Sequence, residues 1–163
     1  MRRMYKNGEN RQYLPRRDVI MKVRDIMSNT VIRIRPEEPV EVAARVLEHY
    51  NIGALPVCGG DGRLCGVVTD RDLVTRCMAA GKAPGNTAVR DVMTTHVIAA
   101  RPDTDVCSAA RIMAREQIRR LPVMENGKLC GMVSLADIAC REEMSDDAAE
   151  TLAWISSNLS SRD

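Results

Sequence analysis

The sequence repeats itself once, and this internal duplication constrains the fold more than any other feature. Residues 23–27, Val-Arg-Asp-Ile-Met, return as Val-Arg-Asp-Val-Met at 89–93, and the pattern Ile-x-x-Leu-Pro-Val of residues 52–57 returns at 118–123 with the same offset of 66. The following turn is one residue shorter in the second copy. Because turns tolerate length changes and strands do not, we interpret the sequence as two copies of one fold.

Each copy is predicted to contain a strand, a helix, two further strands and a second helix. In the first copy the short strand covers residues 31–34, a helix opens at Pro39, and residues 55–58 and 64–68 form a hairpin. The second copy has an Asn-Gly pair at 126–127, which is typical of a hairpin turn. The first helix has an apolar side formed by Val40, Ala43, Leu47 and Tyr50.

A single copy of about 60 residues is too small to bury a stable core alone, so we expect the two copies to pack together. The predicted fold class is α/β (α+β), with two β-α-β-β-α repeats related by a pseudo-twofold axis and one C-terminal helix. That helix is expected to begin at Ser145 and to pack on its own body or to cover a subunit interface. Its apolar side is predicted to comprise Ala148, Leu152, Ile155 and Leu159.

Charge and composition divide the chain into five segments. Residues 1–18 are predicted to be a flexible basic arm, because residues 1–17 hold six basic residues and one acidic residue without an apolar period. The other segments are predicted to be the first repeat (19–80), a connector (81–88), the second repeat (89–142), and a C-terminal amphipathic helix with its tail (143–163).

The body of the chain lacks the features of a nucleic-acid-binding or membrane protein. The net charge is +2 and the arm carries the excess, while only four residues are aromatic. A nucleic-acid-binding body needs a basic face and stacking rings. No uncharged stretch reaches about 18 residues, so no membrane span is expected. We therefore expect a cytoplasmic protein whose body binds neither membranes nor nucleic acid, and the basic arm is the one segment that stays a candidate for nucleic-acid binding.

The hairpin of each copy ends in the same polar motif. Residues 66–72 read as a buried strand that leads into a helix, and the spacing Thr69-x-x-Asp72 returns as Ser134-x-x-Asp137. This motif is typical of a capping box. It also suits a nucleotide, because amides at a helix start attract phosphate and a carboxylate accepts ribose hydroxyls. The helix is predicted from the helical spacing of Leu73, Val74, Cys77 and Met78.

Neither the cysteines nor the histidines form a known catalytic or metal motif. The six cysteines include no Cys-x-x-Cys pair and have mostly apolar neighbours, so we expect buried free thiols. His49 and His96 are the only histidines, and no sequence motif fixes a nucleophile beside a base. We predict a non-enzymatic protein with no obligatory cofactor and no metal. A metal or redox site formed by cysteines and histidines that converge in space stays open.

Taken together, these features make residues 20–142 resemble a tandem pair of CBS domains, the Bateman module. The resemblance is carried by the Asp-Ile-Met and Asp-Val-Met segments, the two Ile-x-x-Leu-Pro-Val segments and the two Gly-to-Asp motifs. The chain is similar to small stand-alone bacterial CBS-pair proteins of the hypoxic response kind. The resemblance implies a regulatory module that binds AMP, ADP or ATP in clefts between the repeats. It also implies a homodimer that meets through its helices and acts on a regulatory target that the sequence does not identify.

The resemblance further implies which residues line the two clefts. Thr69 and Ser134 would contact phosphate, and Asp72 and Asp137 would contact ribose. The adenine base would lie along Thr30, Val31, Ile52, Ala54, Leu55 and Pro56 in one cleft, and along His96, Val97, Ile118, Leu121 and Pro122 in the other. Phosphate ligands or solvated surface residues are expected at Arg71, Arg119 and Arg120. The alternatives are a metal- or redox-responsive CBS protein that uses cysteine and histidine, and an interaction module without a ligand.

Overall fold

The computed structural model describes residues 21–141 and 144–157. The first half contains α1 (Val40–His49), β1 (Ala54–Cys58), β2 (Leu64–Thr69) and α2 (Asp70–Asp72), which continues as a π-helical turn over Leu73–Met78. The second half contains α3 (Val106–Glu116), β3 (Arg120–Glu125), β4 (Lys128–Ser134) and α4 (Leu135–Ala139). The last helix is α5 (Ser145–Ser157), and 3-10 turns precede the two halves at Val23–Asp25 and Val89–Asp91.

Each half contains one antiparallel hairpin, formed by β1 with β2 and by β3 with β4. The register of both hairpins shifts by one residue at equivalent places, after Val57 and after Val123. Asn126 and Gly127 have φ values of 50° and 76°, which is the conformation that a two-residue hairpin turn requires. The mixed class of helices and short antiparallel sheets predicted from the sequence is confirmed.

The leading strand predicted at residues 31–34 is absent from the structure. Only Ile34 bridges β1, through hydrogen bonds of 3.0 and 2.9 Å with the backbones of Pro56 and Cys58. The second copy repeats this single bridge. Residues 30–32 line a cavity instead of pairing with the sheet. The segment of residues 30–34 therefore pairs with β1 only at Ile34.

The opening segment of each copy, residues 23–28 and residues 89–94, packs on the other copy. Ser28 exchanges two backbone hydrogen bonds, of 2.9 and 3.0 Å, with Met132 of β4, and Thr94 exchanges two of the same lengths with Val67 of β2. Each of the two hydrophobic cores likewise receives side chains from the opening segment of the other copy. The second copy's core contains Val23 and Ile26 from the first opening segment, and the first copy's core contains Val89 and Val92.

Gly66 and Gly131 make room for this exchange. A Cβ at Gly66 would lie 2.7 Å from the Met93 sulfur and 2.8 Å from the Thr94 carbonyl oxygen. A Cβ at Gly131 would lie 2.6 Å from the Met27 sulfur. Each methionine of the opening segments therefore covers a glycine of the opposite hairpin, and this contact explains why the two motifs recur together.

Three apolar side chains predicted on buried helix faces are instead exposed. Tyr50 follows the last residue of α1 and is 51% exposed, so the buried stripe of α1 is limited to Val40, Ala43 and Leu47. In the segment after α2, Leu73 and Cys77 face the core, whereas Val74 and Met78 are 55% and 63% exposed. Only one row of side chains at i, i+4 spacing reaches the core, and the adjacent row points outward.

The C-terminal helix α5 begins at Ser145, as predicted, and packs on α3 and α4. Ala148 and Ile155 are buried in the second copy's core. The prediction for Leu152 is wrong, because this side chain is 42% exposed and Thr151 is buried in its place. The buried row of α5 runs through positions 148, 151 and 155, which leaves Leu152 at its edge.

Two predictions fall outside the described residues, namely the basic arm 1–18 and the apolar contact at Leu159. Within residues 21–141 and 144–157, no helix combines the length and the apolar character needed to cross a membrane.

Candidate functional site

Each hairpin ends in a capping box. The amide and the hydroxyl of Thr69 both donate to Asp72 Oδ2, at 3.0 and 2.7 Å, and the hydroxyl accepts from the Asp72 amide at 3.2 Å. Ser134 and Asp137 make the same three hydrogen bonds, at 2.7, 2.7 and 3.2 Å. The hydroxyl protons are thus used inside the boxes, and in this arrangement Thr69 and Ser134 do not offer them to a phosphate.

The second carboxylate oxygen differs between the two boxes. Asp72 Oδ1 lies 3.3 Å from Nη2 of Arg76, which also donates through Nη1 to the Val92 carbonyl at 2.9 Å. The equivalent arginine of the second copy, Arg141, donates to the Asp25 carbonyl at 3.5 Å. No hydrogen bond or ion pair joins Asp137 Oδ1 to the part of the chain that the structure describes. Asp137 therefore keeps one oxygen for a ligand.

A cavity of about 300 Å³ opens between the two copies beside Asp137. One wall comes from the first copy, and the other comes from β4, the Ser134 box and the start of β3. Its lining residues are Ser28, Thr30, Val31, Ile32, Asn51, Ile52, Gly53, Ala54, Pro56, Arg120, Met132, Val133, Ser134 and Asp137. The volume is at the lower end of the range for small-molecule sites.

The cavity gathers eight of the residues selected from the sequence. Five come from the first copy, Thr30, Val31, Ile52, Ala54 and Pro56, and three come from the second, Arg120, Ser134 and Asp137. The site therefore combines the wall of one copy with the capping box of the other. By the copy-to-copy offset, Thr69, Asp72, Val97, Ile118 and Pro122 are the sequence equivalents of Ser134, Asp137, Val31, Ile52 and Pro56, and they do not line this cavity.

Five other candidates also lie outside the lining of this cavity. Leu55 and Leu121 are fully buried in the two cores, because alternate residues of a strand point to opposite faces of the sheet. Arg71 and Arg119 are exposed side chains outside the lining. His96 is also exposed and outside the lining.

Arg120 crosses the cavity mouth to the first copy. A Cβ at Gly53 would lie 2.8 Å from Nη2 of Arg120, so the guanidinium rests against the Gly53 backbone. Gly53 was not selected from the sequence, although the repeat alignment places it opposite Arg119, the most dissimilar pair in that segment. The lining also includes Ser28, Ile32, Asn51, Met132 and Val133, which carry no chemical signal in the sequence.

No disulfide joins any two of the six cysteines, all of which lie within the described residues, and three of them are buried. Burial is the main cause that raises the pKa of the Cys58 and Cys130 thiols, and it raises the pKa of Cys107 to about 11, with the Asp105 and Asp147 carboxylates adding to the effect. Across residues 21–141 and 144–157, no three His, Cys, Asp or Glu side chains are grouped to hold a metal ion.

The chain belongs to the CBS-domain family, whose family model matches residues 23–79 and 89–141. Among curated proteins, it is 36% identical over 134 residues to the CBS domain-containing protein YhcV of Bacillus subtilis. That alignment covers 82% of this chain and 94% of the relative. The tandem CBS pair inferred from the sequence is therefore confirmed.

Two solved structures with the same fold contain bound ligands. Hypoxic Response Protein I, in a crystal structure with two coordinated zinc ions, is 34% identical with a TM-score of 0.69, covering 74% of this chain and 98% of its own. The CBS domain pair of protein MJ0100, in complex with 5-methylthioadenosine and S-adenosyl-L-methionine, is 29% identical with a TM-score of 0.69. That match covers 75% of this chain and 95% of the other.

Proposed function

We propose that this chain is a non-enzymatic regulatory module that binds an adenine nucleotide, AMP, ADP or ATP, in the cavity beside Asp137. The observation that carries the proposal is the composition of that cavity: a backbone wall from one copy faces an available carboxylate oxygen and a guanidinium from the other. The opposite cleft is expected to bind more weakly, because Arg76 already engages the second oxygen of Asp72.

The wall of the first copy suits an adenine ring. Its side chains at Val31, Ile52, Ala54 and Pro56 are apolar. The amides of Val31 and Ile32 make no hydrogen bond within the described residues, so they are available to the ring nitrogens. A base that lies against aliphatic groups and bonds to backbone amides needs no aromatic partner.

The opposite wall suits a phosphorylated ribose. Asp137 Oδ1 can accept hydrogen bonds from ribose hydroxyls, while its other oxygen maintains the capping box. Arg120 brings a fork of donors to the cavity mouth, and such a fork matches phosphate oxygens. The adenosine ligands of the MJ0100 domain pair support an adenine-containing ligand in this fold.

Isothermal titration calorimetry of the full chain with AMP, ADP, ATP and adenosine tests the proposal. Arg120→Gln is expected to weaken nucleotide binding about 10- to 100-fold, the usual value of a hydrogen bond to a charged group, and to change adenosine binding by less than about 2-fold. Arg115→Gln, an exposed arginine on α3, is the control and should bind as the wild type does. Absence of nucleotide binding by the wild type at millimolar concentration would reject the proposal.

Zinc forms a separate arm of the same titration. The metal-responsive alternative draws on the zinc ions of the Hypoxic Response Protein I structure, whereas the described residues of this chain form no three-ligand group. Zinc binding without nucleotide binding would favour that alternative. Nucleotide binding that persists after zinc is removed by a chelator would favour the nucleotide-binding regulatory module.

We also expect the chain to form a homodimer through the helices of its first copy. Val74 and Met78 are apolar and exposed on neighbouring turns, and covering them would remove apolar surface from water. Light scattering after size exclusion should give twice the mass of 18.1 kDa for the wild type and a monomer for the double variant Val74→Glu, Met78→Glu. Leu152→Glu, at an exposed apolar site on α5, should remain dimeric.

A further inference from the structure

The bulge of the first hairpin brings two cysteines together. Val57 pairs with Gly66 and Cys58 pairs with Leu64, so Cys65 is the extra residue of the bulge. In such a bulge, two residues of one strand oppose a single residue of the other, which here is Cys58. A Cβ at Gly59 would lie 3.5 Å from Cys65 Sγ, so the Cys65 thiol lies over the residue next to Cys58.

The two thiols have different access to solvent. Cys58 is 4% exposed, whereas Cys65 is half-buried and its thiol donates to the Arg63 carbonyl at 3.4 Å. The pKa of Cys58 is raised first by burial and further by the neighbouring Cys65 thiol, while the Arg33 guanidinium acts against this rise. A small oxidant therefore reaches Cys65 first, and Cys58 is the protected thiol beside it.

We propose that Cys58 and Cys65 are an oxidisable pair that forms an intramolecular disulfide across the bulge of the first hairpin. The oxidant is a peroxide: the Cys65 thiol loses its proton to solvent, and the thiolate attacks one oxygen of hydrogen peroxide. The O–O bond breaks to give a sulfenic acid and hydroxide, and the hydroxide takes up the released proton to become water. The Cys58 thiol, losing its proton, then attacks the Cys65 sulfur and displaces the sulfenic oxygen as a second water. Two thiols lose two electrons in total, and the peroxide gains them.

The position of the pair connects it with the cavity wall. The Cys58 amide donates to the Ile34 carbonyl at 2.9 Å, in the single bridge that joins the segment of residues 30–34 to the sheet. The start of this segment lines the cavity. A disulfide at Cys58 therefore fixes the strand end to which that wall is attached.

The second hairpin is a built-in control. Its bulge has the same register shift, with Cys130 at the position of Cys65, but Met124 stands where the first copy has Cys58. Cys130 Sγ donates to the Val123 carbonyl at 3.2 Å. Cys130 consequently has the same bulge geometry without a thiol opposite.

Peptide mapping after oxidation tests the pair. The reduced full chain is treated with a few equivalents of hydrogen peroxide, remaining thiols are alkylated, and the protein is digested with trypsin without reduction. Cleavage after Arg45, Arg63 and Arg71 places the two cysteines on separate peptides, 46–63 and 64–71. The expected product is these two peptides joined by a disulfide, in a chain that keeps its monomeric covalent mass less two hydrogens.

Matched variants complete the test. Cys130→Ser should form the linked peptides as the wild type does, and Cys65→Ser should leave Cys58 as an alkylatable thiol. The proposal is overturned if Cys65 is oxidised while Cys58 stays free, or if either residue pairs with another cysteine. It is also overturned if the link forms equally fast in urea-unfolded protein, because the folded hairpin would then contribute nothing.

Discussion

The two copies of the repeat share a backbone plan but present different helix faces. In α3, Cys107, Ala110 and Ala114 are buried, and α5 packs on this helix. The equivalent positions of α1, Glu41, Ala44 and Glu48, are exposed. The duplicated interior is thus retained, while the outer surface of each copy has adapted to what covers it.

The same divergence separates the two clefts. Both capping boxes have the same hydrogen bonds, yet Arg76 engages the free oxygen of Asp72, and the equivalent Arg141 reaches the Asp25 carbonyl instead. Matching motifs therefore cap a helix in both copies, while within residues 21–141 and 144–157 only Asp137 keeps a carboxylate oxygen outside its box without a partner. The capping role of the motif is therefore separate from the ligand-binding role that we propose for Asp137.

Among the substitutions predicted here, one that disrupts the packing of α5 on the second copy is expected to lower the stability of the fold most. Ile155 is 2% exposed beneath α5, so Ile155→Ala should lower the free energy of unfolding by about 2–4 kcal/mol through lost burial and a cavity. Leu152→Ala, on the exposed edge of the same helix, should cost less than about 1 kcal/mol. Urea unfolding followed by circular dichroism measures both. Equal costs would contradict the assigned packing of α5.

The exchange of opening segments predicts unequal costs at two equivalent glycines. Gly66→Ala should destabilise by about 2–3 kcal/mol, because its Cβ would meet a backbone oxygen of Thr94 at 2.8 Å. Gly131→Ala should cost about 1–2 kcal/mol, since its closest contact is the flexible end of Met27. A Cβ at Gly60 would have no atom within 4 Å, so Gly60→Ala is the control and should cost little. A larger effect at Gly131 than at Gly66 would refute this ranking in urea unfolding.

The capping boxes should contribute equally to both copies. Thr69→Ala and Ser134→Ala each remove the acceptor for one amide at a helix start and should cost about 1 kcal/mol. Thr69→Ser retains that acceptor and should cost far less. Thermal unfolding monitored by calorimetry compares the three. A loss confined to one copy would mean that the boxes are not equivalent.

The smallest expected effect is a pH dependence from Cys107 beneath α5. Its pKa rises from 9.0 to about 11 in the folded chain, so the unfolded chain releases this proton first as the pH increases. The contribution to stability is complete below pH 9 and decreases between pH 9 and 11. The full pKa shift corresponds to a loss of about 1.4 kcal/mol at pH 10, which solvent screening reduces to roughly 0.5–1 kcal/mol. Urea unfolding at pH 7 and pH 10 should show a smaller difference for Cys107→Ala than for the wild type. An unchanged difference would exclude Cys107 as the source.

Much of the fold could be predicted from the sequence because periodicity and turn chemistry are local. The hairpins, α1 and the start of α5 follow from such local signals. The exchange of opening segments could not be predicted, since Ser28 could pair with either hairpin as far as sequence spacing shows, and only the packing of Met27 on Gly131 decides. The prediction of a leading strand at residues 31–34 is wrong for a related reason. A β-prone segment forms a strand only where the edge of another strand is available along its length.

The candidate site could be predicted in part for equally physical reasons. The Ser134-x-x-Asp137 motif indicates the box. The i, i+4 spacing of Asp72 and Arg76 recurs in Asp137 and Arg141, so local spacing does not reveal that only Arg76 engages its aspartate. Nor does it reveal that Arg120 lies against Gly53. Arg76 is held by the Val92 carbonyl of the second copy's opening segment, and Arg120 reaches Gly53 across the interface between copies, so both side-chain paths depend on tertiary packing. Strand alternation, applied to Leu55 and Pro56, would have separated core from lining, since Leu55 is buried and Pro56 lines the cavity.

The most direct test of the central claim compares the two carboxylates in one calorimetric titration with ADP. Asparagine keeps an oxygen for the capping box, so Asp137→Asn and Asp72→Asn should both stay folded. The account predicts about one site per chain, a loss of about 10-fold or more in affinity for Asp137→Asn, and wild-type affinity for Asp72→Asn. Equal affinities in the two variants, or a loss in Asp72→Asn alone, would contradict it.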